Sequence, residues 1–163
     1  MRRSCIIKVL VIMTPFMSVL SERGIGQGIR NEGGYVQIGP GASVNCQGGL
    51  LNNGGTITNG GTFSLSGDII NSAYLDGDGT LYAGGNWINS GTFDHGSGIV
   101  IFNGNTPQTI TAPYLTVFND LGIASSSAGT TIAPGAMVTV EGTVFNPNGK
   151  LTISSEGTEN SGH

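Results

Sequence analysis

Two aspartates at matching positions of a sequence repeat are the residues of this chain best suited to chemistry. Asp76 and Asp94 lie 18 residues apart, and each ends an Asn-Ser-x-x-apolar-Asp segment. If the repeats stack as neighbouring strands, equivalent carboxylates lie about 4.8 Å apart. Retaining glycosidases hold their two carboxylates about 5 to 5.5 Å apart. The same pair, helped by Asp78, could instead bind Ca²⁺ through carboxylate and carbonyl oxygens, or all three could be solvated corner residues.

Known motifs do not decide between these alternatives. The Asp-Gly-Asp-Gly string that begins at Asp76 is not an EF-hand, because its twelfth position is Trp87 rather than Glu. A Ser-His-Asp triad is excluded because Asp94 and His95 are adjacent, and adjacent strand residues point to opposite faces. We therefore predict no catalytic residues and no required cofactor, with Asp76, Asp78 and Asp94 as a candidate Ca²⁺ site.

Three aromatic side chains are candidates for contacts with a neutral glycan. Trp87, Tyr74 and Tyr82 lie in the repeated region, and aromatic rings combine an apolar body with a polar tip. Trp87 aligns with Ile69 of the preceding repeat, which favours a core position for the tryptophan. Both interpretations of Trp87, core position and sugar platform, stay open at this point.

These candidates depend on a repeat of 18 to 19 residues that spans residues 66–105. One residue is inserted after Asp94, so that the spacing changes from 18 to 19. A repeat this short, with Gly and Asn at its corners, is typical of one coil of a β-solenoid, whose apolar face is buried only when coils stack. The matching pairs 18 apart are Gly67 and Gly85, Ile70 and Ile88, Asn71 and Asn89, Ser72 and Ser90, Leu75 and Phe93, and Asp76 and Asp94.

The whole body is predicted to follow this plan. Alternating apolar runs separated by Gly and Asn continue over residues 35–154, and Asn-Gly followed by a β-branched or aromatic residue marks a turn into a strand. We predict an all-β, single-domain solenoid, a right-handed parallel β-helix, of about six coils with 18 to 20 residues each. Residues 22–34 are predicted to be a flexible lead-in and residues 155–163 a disordered tail or linker.

Charge narrows the range of partners. No Lys or Arg lies between Arg30 and Lys150. Nucleic acid is therefore an unsuitable partner, because neutralising its phosphates requires clustered basic residues. Anionic membranes and acidic polysaccharides are disfavoured for the same reason, whereas neutral glycans, protein surfaces and divalent cations remain open. The acidic residues of this stretch are Glu32, Asp68, Asp76, Asp78, Asp94, Asp120 and Glu141.

Residues 1–21 have the features of a secretory signal peptide. Basic residues precede a short apolar run, and cleavage is predicted before Glu22. The run is too short for a comfortable membrane span, so no transmembrane segment is expected after cleavage. Removal of the leader would take away Cys5 and leave Cys46 as the one remaining cysteine, a small buried apolar residue with no internal disulfide.

A longer stretch of sequence, residues 45–153, resembles the repeats of large secreted surface proteins of Bacteroidota. The resemblance is carried by GGNWINSGTFDHGSGIVIFNGNTPQTI, by FNDLGI and by MVTVEGTV with NPNGKLTI. Asp120 stands where those repeats usually have Asn. The resemblance implies a β-solenoid of haemagglutinin or adhesin type, secreted and attached to the cell surface at the outer membrane, and it provides no catalytic residues.

The predicted function is therefore a non-catalytic, exported cell-surface module, structural or adhesin-like, that is part of a larger or truncated surface protein. A downstream domain or partner chain is expected to cap the solenoid, because a stack of coils ends in unpaired strand edges. The alternative is a fragment of a carbohydrate-active or carbohydrate-binding β-helix protein that acts on neutral glycans.

Overall fold

The computed structural model describes residues 6–8, 17–18, 28–125, 129–146 and 149–154, and these ranges contain strands, turns and no helix. The strands are β1 (Ile6–Lys8), β2 (Met17–Ser18), β3 (Ile29–Ile38), β4 (Ser43–Cys46), β5 (Leu50–Asn59), β6 (Thr62–Leu65), β7 (Ile69–Asn71), β8 (Tyr74–Asp76), β9 (Thr80–Ala83), β10 (Trp87–Asn89), β11 (Thr92–Asp94), β12 (Ile99–Phe102), β13 (Gln108–Thr111), β14 (Thr116–Phe118), β15 (Asp120–Ile123), β16 (Thr130–Ile132), β17 (Val138–Val140), β18 (Val144–Phe145) and β19 (Leu151–Ile153).

The chain winds into a β-solenoid of about six turns, which confirms the predicted fold. Each coil contributes one strand to each of three faces. Face 1 contains β4, β6, β9, β12, β15 and β18. Face 2 contains the first parts of β3 and β5, then β7, β10, β13, β16 and β19. Face 3 contains the second parts of β3 and β5, then β8 and β11, and continues with the pair β14 and β17.

The stacking register agrees with the sequence repeat. Ile88 lies beside Ile70 and Phe93 beside Leu75, both at a spacing of 18. After the inserted residue, Val100 lies beside Leu81 at a spacing of 19. The later coils are longer than predicted: Ile110 lies beside Trp87, 23 positions on.

The first coil begins earlier than predicted. Strand β3 starts at Ile29, and both Ile29 and Asn31 are buried, so residues 29–34 are part of the solenoid and not a flexible lead-in. Their burial follows from pairing with β5, which shields them from solvent. The N-terminal edge of the stack is paired with β1 and β2, which run antiparallel to β4 and β3. The rest of the predicted leader and the predicted tail, residues 155–163, lie outside the described residues.

The core consists of columns of inward side chains, one per coil. On face 2 such a column runs through Ile69, Trp87 and Ile110, all 0% exposed. Cys46 is also fully buried, as predicted, and in the full chain it is disulfide-bonded, whereas the predicted unpaired cysteine refers to the chain after loss of the leader. The sequence contains one other cysteine, Cys5, which lies outside the described residues.

A buried column of asparagines follows the corner between faces 2 and 3. The Nδ2 atom of Asn52 donates to Oδ1 of Asn71 at 2.8 Å, and Nδ2 of Asn71 donates to Oδ1 of Asn89 at 2.8 Å. Asn31 donates in the same way to Asn52 at 3.0 Å, and Asn89 donates to the hydroxyl of Thr116 at 2.8 Å. Buried amides are tolerated when their hydrogen bonds are satisfied, and here each coil satisfies the previous one. The column therefore holds neighbouring coils in register.

Glycine is required where two coils approach most closely at a corner. A Cβ atom added to Gly98 would clash with the carbonyl oxygen of Gly77, and one added to Gly79 would clash with that of Gly61. The carbonyls belong to the preceding coil, so any side chain here would push the stack apart. The repeated Gly in the sequence therefore reflects close packing of backbones rather than flexibility.

Candidate functional site

Asp76 and Asp94 are neighbours in the stack, as the repeat predicted. They occupy matching positions of β8 and β11 on the outer surface of face 3. The hydroxyl of Tyr74 donates to Oδ2 of Asp94 at 2.8 Å, so the tyrosine ring is fixed across two coils. The structure thus brings together Asp76, Asp94 and Tyr74, three of the six candidate residues.

Local hydrogen bonds give both carboxylates a role in the turns that follow them. Oδ1 of Asp76 accepts from the backbone N–H of Asp78 at 3.2 Å. Oδ1 of Asp94 accepts from the backbone N–H of Gly96 at 3.4 Å. Bonds from an Asp side chain to the backbone two residues on are characteristic of Asx turns. The repeated aspartates therefore shape the corner between faces 3 and 1 in successive coils.

The surroundings of Asp76 favour the protonated form of its carboxyl group. Burial raises the pKa of Asp76, and the nearby carboxylates of Asp78 and Asp94 raise it further, while the hydrogen bond from the Asp78 backbone opposes them. The pKa of Tyr74 is also raised, chiefly because its hydroxyl donates to Asp94. Burial penalises the charged form of Asp76 most strongly, and repulsion from the neighbouring carboxylates adds to the rise in its pKa.

Asp78 lies close to Asp76 at the corner between faces 3 and 1, but its carboxylate bonds to the next coil. Its Oδ1 accepts from the backbone N–H of Ser97 at 2.9 Å, in the glycine-rich corner beside face 1. A shallow groove of about 390 Å³ follows this corner past Gly41, Gly60 and Gly79. Among the described residues no group of three or more His, Cys, Asp or Glu side chains is arranged to hold a metal ion. The geometry thus gives the proposed Ca²⁺ site no assembled set of ligands.

Trp87 is a core residue and not a surface platform. Its side chain is 0% exposed, and its ring meets those of Phe93 and Phe118 edge to face, at centroid distances of 4.9 and 5.3 Å. Its indole Nε1 is buried without a hydrogen-bond partner. The candidate glycan contact at Trp87 is therefore wrong in this fold, because the inward position on face 2 leaves no ring surface for a ligand.

Tyr82 lies on the outside of face 1, far around the coil from Tyr74. It is partly exposed and lines a groove of about 320 Å³ near the corner between faces 1 and 2. The remaining lining is uncharged and, apart from Leu65 and two glycines, polar. It consists of Asn45, Gln47, Ser64, Leu65, Ser66, Gly84, Asn103, Gly104 and Asn105. The three predicted aromatic contacts are therefore split among two faces and the core.

The sequence reasoning missed Tyr35. It is 42% exposed and lies in the same outer column of face 3 as Thr56 and Tyr74. Its hydroxyl lies 3.3 Å from that of Thr58, one coil on, much as the Tyr74 hydroxyl reaches Asp94. The signal was present as an aromatic residue two repeats before Tyr74, at the first residue of the predicted solenoid, but Tyr35 was not among the predicted contacts.

Comparison with known proteins adds no assignment: no protein family model, no curated protein and no solved structure matches this chain. Within the described ranges no helix is both long and apolar enough to cross a bilayer. The function must therefore be argued from the surfaces described above.

Proposed function

We propose that this chain is a non-catalytic module of an exported cell-surface protein, serving as a rigid spacer that also presents binding surfaces. The observation that supports this role most directly is the continuous stack of coils. Its inward columns pack without interruption from Ile29 to Ile123. Six coils at about 4.8 Å each form a rod about 30 Å long.

The acidic side chains considered for chemistry fit a structural role. Asp76 and Asp94 bond to the turns that follow them, and Asp78 bonds to the next coil. Such bonds define corners and need no substrate. The proposal that the chain is not an enzyme is supported by these assignments.

Export is proposed from the sequence: a basic start, a short apolar run, and repeats that resemble Bacteroidota surface proteins. Disulfides persist in the compartments outside the cytosol, which suits the disulfide at Cys46. Cleavage before Glu22 would, however, remove Cys5, the one other cysteine of the sequence. A mature chain that lost its leader would then carry Cys46 as a buried thiol.

The test is expression of the tagged full chain in a Bacteroidota host. We expect the protein in the envelope fraction, sensitive to protease added to intact cells. Non-reducing mass spectrometry of that protein reads both the N-terminus and the state of Cys46. Retention of the full chain in the cytoplasm would overturn the export proposal, whatever the state of the cysteine.

The second candidate function is action on neutral glycans, which is favoured by the stacking of Asp76 on Asp94 beside Tyr74. Release of reducing sugar from neutral polysaccharides, lost in the Asp76→Asn/Asp94→Asn double variant, would establish it. Activity that survives this double replacement, or no activity in the unaltered protein, would rule out a hydrolytic site at this column. An unchanged melting temperature in EDTA would likewise dismiss a stabilising Ca²⁺.

A further inference from the structure

The groove on face 1 that contains Tyr82 has the features of a built binding surface. Three consecutive coils contribute Asn45, Ser64 and Tyr82 to one outward column, since Asn45 pairs with Ser64 and Ser64 with Tyr82. The fourth coil adds Asn103 and Asn105 at the corner that follows β12. The groove therefore runs along the solenoid axis over four coils, a rise of about 14 Å from first to last.

Most polar side chains of the groove make no hydrogen bond within the described protein, whereas Gln47 donates to Asn45 at 3.4 Å. In the described part of the chain, the side chains of Ser64, Ser66, Asn103 and Asn105 make no hydrogen bond to the protein. This contrasts with the buried asparagines of the opposite corner, such as Asn71, whose amide is fully engaged. Free amides and hydroxyls beside an aromatic ring can donate and accept towards a ligand in the groove.

The charge of the groove selects the class of ligand. No Asp, Glu, Lys, Arg or His lines it, whereas the neighbouring groove between faces 3 and 1 contains Asp78. A charged ligand would find no counter-ion here, but a neutral sugar presents hydroxyl groups to amides and an apolar ring face to a tyrosine. The outer surface beside Tyr82 continues with Ile101 in the next coil, which extends the apolar strip for such a ring.

We propose that this groove binds a neutral oligosaccharide laid along the solenoid axis, with a sugar ring on Tyr82 and hydroxyl groups bonded to Asn103, Asn105 and Ser64. The inference rests on the proposed non-catalytic surface role and gives that role a ligand class and a site. It differs from the carboxylate column of face 3, which lies around the coil from Tyr82.

The test is isothermal titration calorimetry of the full chain with neutral hexasaccharides (cellohexaose, xylohexaose and maltohexaose) and with hexagalacturonate as the charged comparison. We expect measurable binding of at least one neutral probe and none of hexagalacturonate. Tyr82→Ala is expected to weaken binding about tenfold, the loss of roughly one aromatic contact. Tyr74→Ala is the matched control, because Tyr74 is an outward tyrosine of the same coil on another face.

Asn103→Ala is a second test of the groove in case Tyr82→Ala does not fold. This exposed amide makes no bond to the described protein, so its removal should leave the fold intact. It is expected to weaken binding about threefold or more while leaving the melting temperature unchanged. No binding of any neutral probe would overturn the proposal that the groove binds a glycan. The export test would still decide the proposed surface role separately. Equal binding of hexagalacturonate, or a loss caused by Tyr74→Ala and not by Tyr82→Ala, would overturn it as well.

Discussion

The first four coils and the last two are built on the same plan but with different regularity. In coils one to four, residues 29–102, three successive asparagine pairs lock the corner between faces 2 and 3. In coils five and six the asparagine column stops. Thr111 lies beside Ile88, so the next residue, Ala112, occupies the position that corresponds to Asn89. Thr116 accepts the last bond from Asn89.

Coil length changes where the asparagine column ends. Neighbouring coils are offset by 18 at Tyr74 and Thr92, but by 22 at Thr116 and Val138. The first extra residues enter between Phe102 and Ile110, where the offset to the preceding coil rises from 19 to 23. Within the column the hydrogen-bonded asparagines are 21, 19 and 18 residues apart, so added residues are tolerated where they lie outside the bonded positions. The comparison indicates that the asparagine column fixes the register at the corner between faces 2 and 3 and does not by itself fix coil length.

The two regions differ in burial as well. Inward positions of the early coils, such as Leu75, are 0% exposed, whereas Val144 and Ile153 of the last coil are 49% and 72% exposed. In the described part of the chain no further coil covers β17, β18 or β19. This end thus offers strand edges and apolar side chains to whatever follows.

The largest effect is expected at the junction of the two regions. Trp87→Ala removes the ring that joins Phe93 of coil four to Phe118 of coil five. We expect a loss of about 3 to 5 kcal/mol in the free energy of unfolding, as for other large-to-small core replacements. Urea denaturation followed by circular dichroism measures it. A loss below about 1 kcal/mol would show that the two regions do not depend on this contact.

Asn71→Ala tests the asparagine column. The change removes bonds from Asn52 and to Asn89 and the carbonyl of Thr92, so buried partners lose their hydrogen bonds. We expect a loss of about 2 to 3 kcal/mol by urea denaturation.

The matched control for this replacement is Asn119→Ala, in coil five. Its amide makes one bond, to the carbonyl of Gly98 at 3.2 Å, and about 1 kcal/mol is expected. Equal losses in the two variants would remove the distinction between the regions.

Shortening a side chain at the C-terminal end of the stack should change the free energy of unfolding only slightly. Ile153→Ala removes a side chain that is 72% exposed, and we expect a loss below about 0.5 kcal/mol in the same urea experiment. A loss comparable to that of Trp87→Ala would mean that this end is covered in solution.

The smallest effect on stability is expected at the stacked pair Asp76 and Asp94, which lies within the first four coils. The pKa of Asp76 is raised in the folded state, so the folded protein holds this proton more tightly than the unfolded chain. Its contribution to stability is complete below the unfolded pKa and is lost as the pH rises through the folded pKa. Asp76→Asn is therefore expected to be slightly more stable than the unaltered protein at pH 7, with the difference vanishing near pH 3. Thermal melts at both pH values measure it, and a gain that is larger at pH 3 would contradict the sign.

Much of the fold could be predicted because the repeat is written in the chain. A spacing of 18 in Gly, Asn and apolar residues predicts which positions stack, and Ile88 beside Ile70 confirms it. The candidate site was harder to predict from the sequence. The repeat correctly paired Asp76 with Asp94 and favoured a core position for Trp87, but it did not exclude the surface position that was also considered for this ring.

Strand β12 is a case in which the sequence pattern does not predict which side chains are buried. All four residues from Ile99 to Phe102 are apolar, so alternation does not say which pair points inward. The structure buries Val100 and Phe102 and leaves Ile99 and Ile101 towards the outside.

The sequence by itself determined the periodicity, and with it the coils and the neighbours of each side chain along the axis. Only the tertiary structure decided which side of each strand is inside, and so placed Trp87 in the core and Tyr82 in a groove. The physical reason is that stacking is a one-dimensional relation between repeats. Burial depends on how three faces close around a common interior, and residues from different faces meet there without any fixed spacing in the sequence.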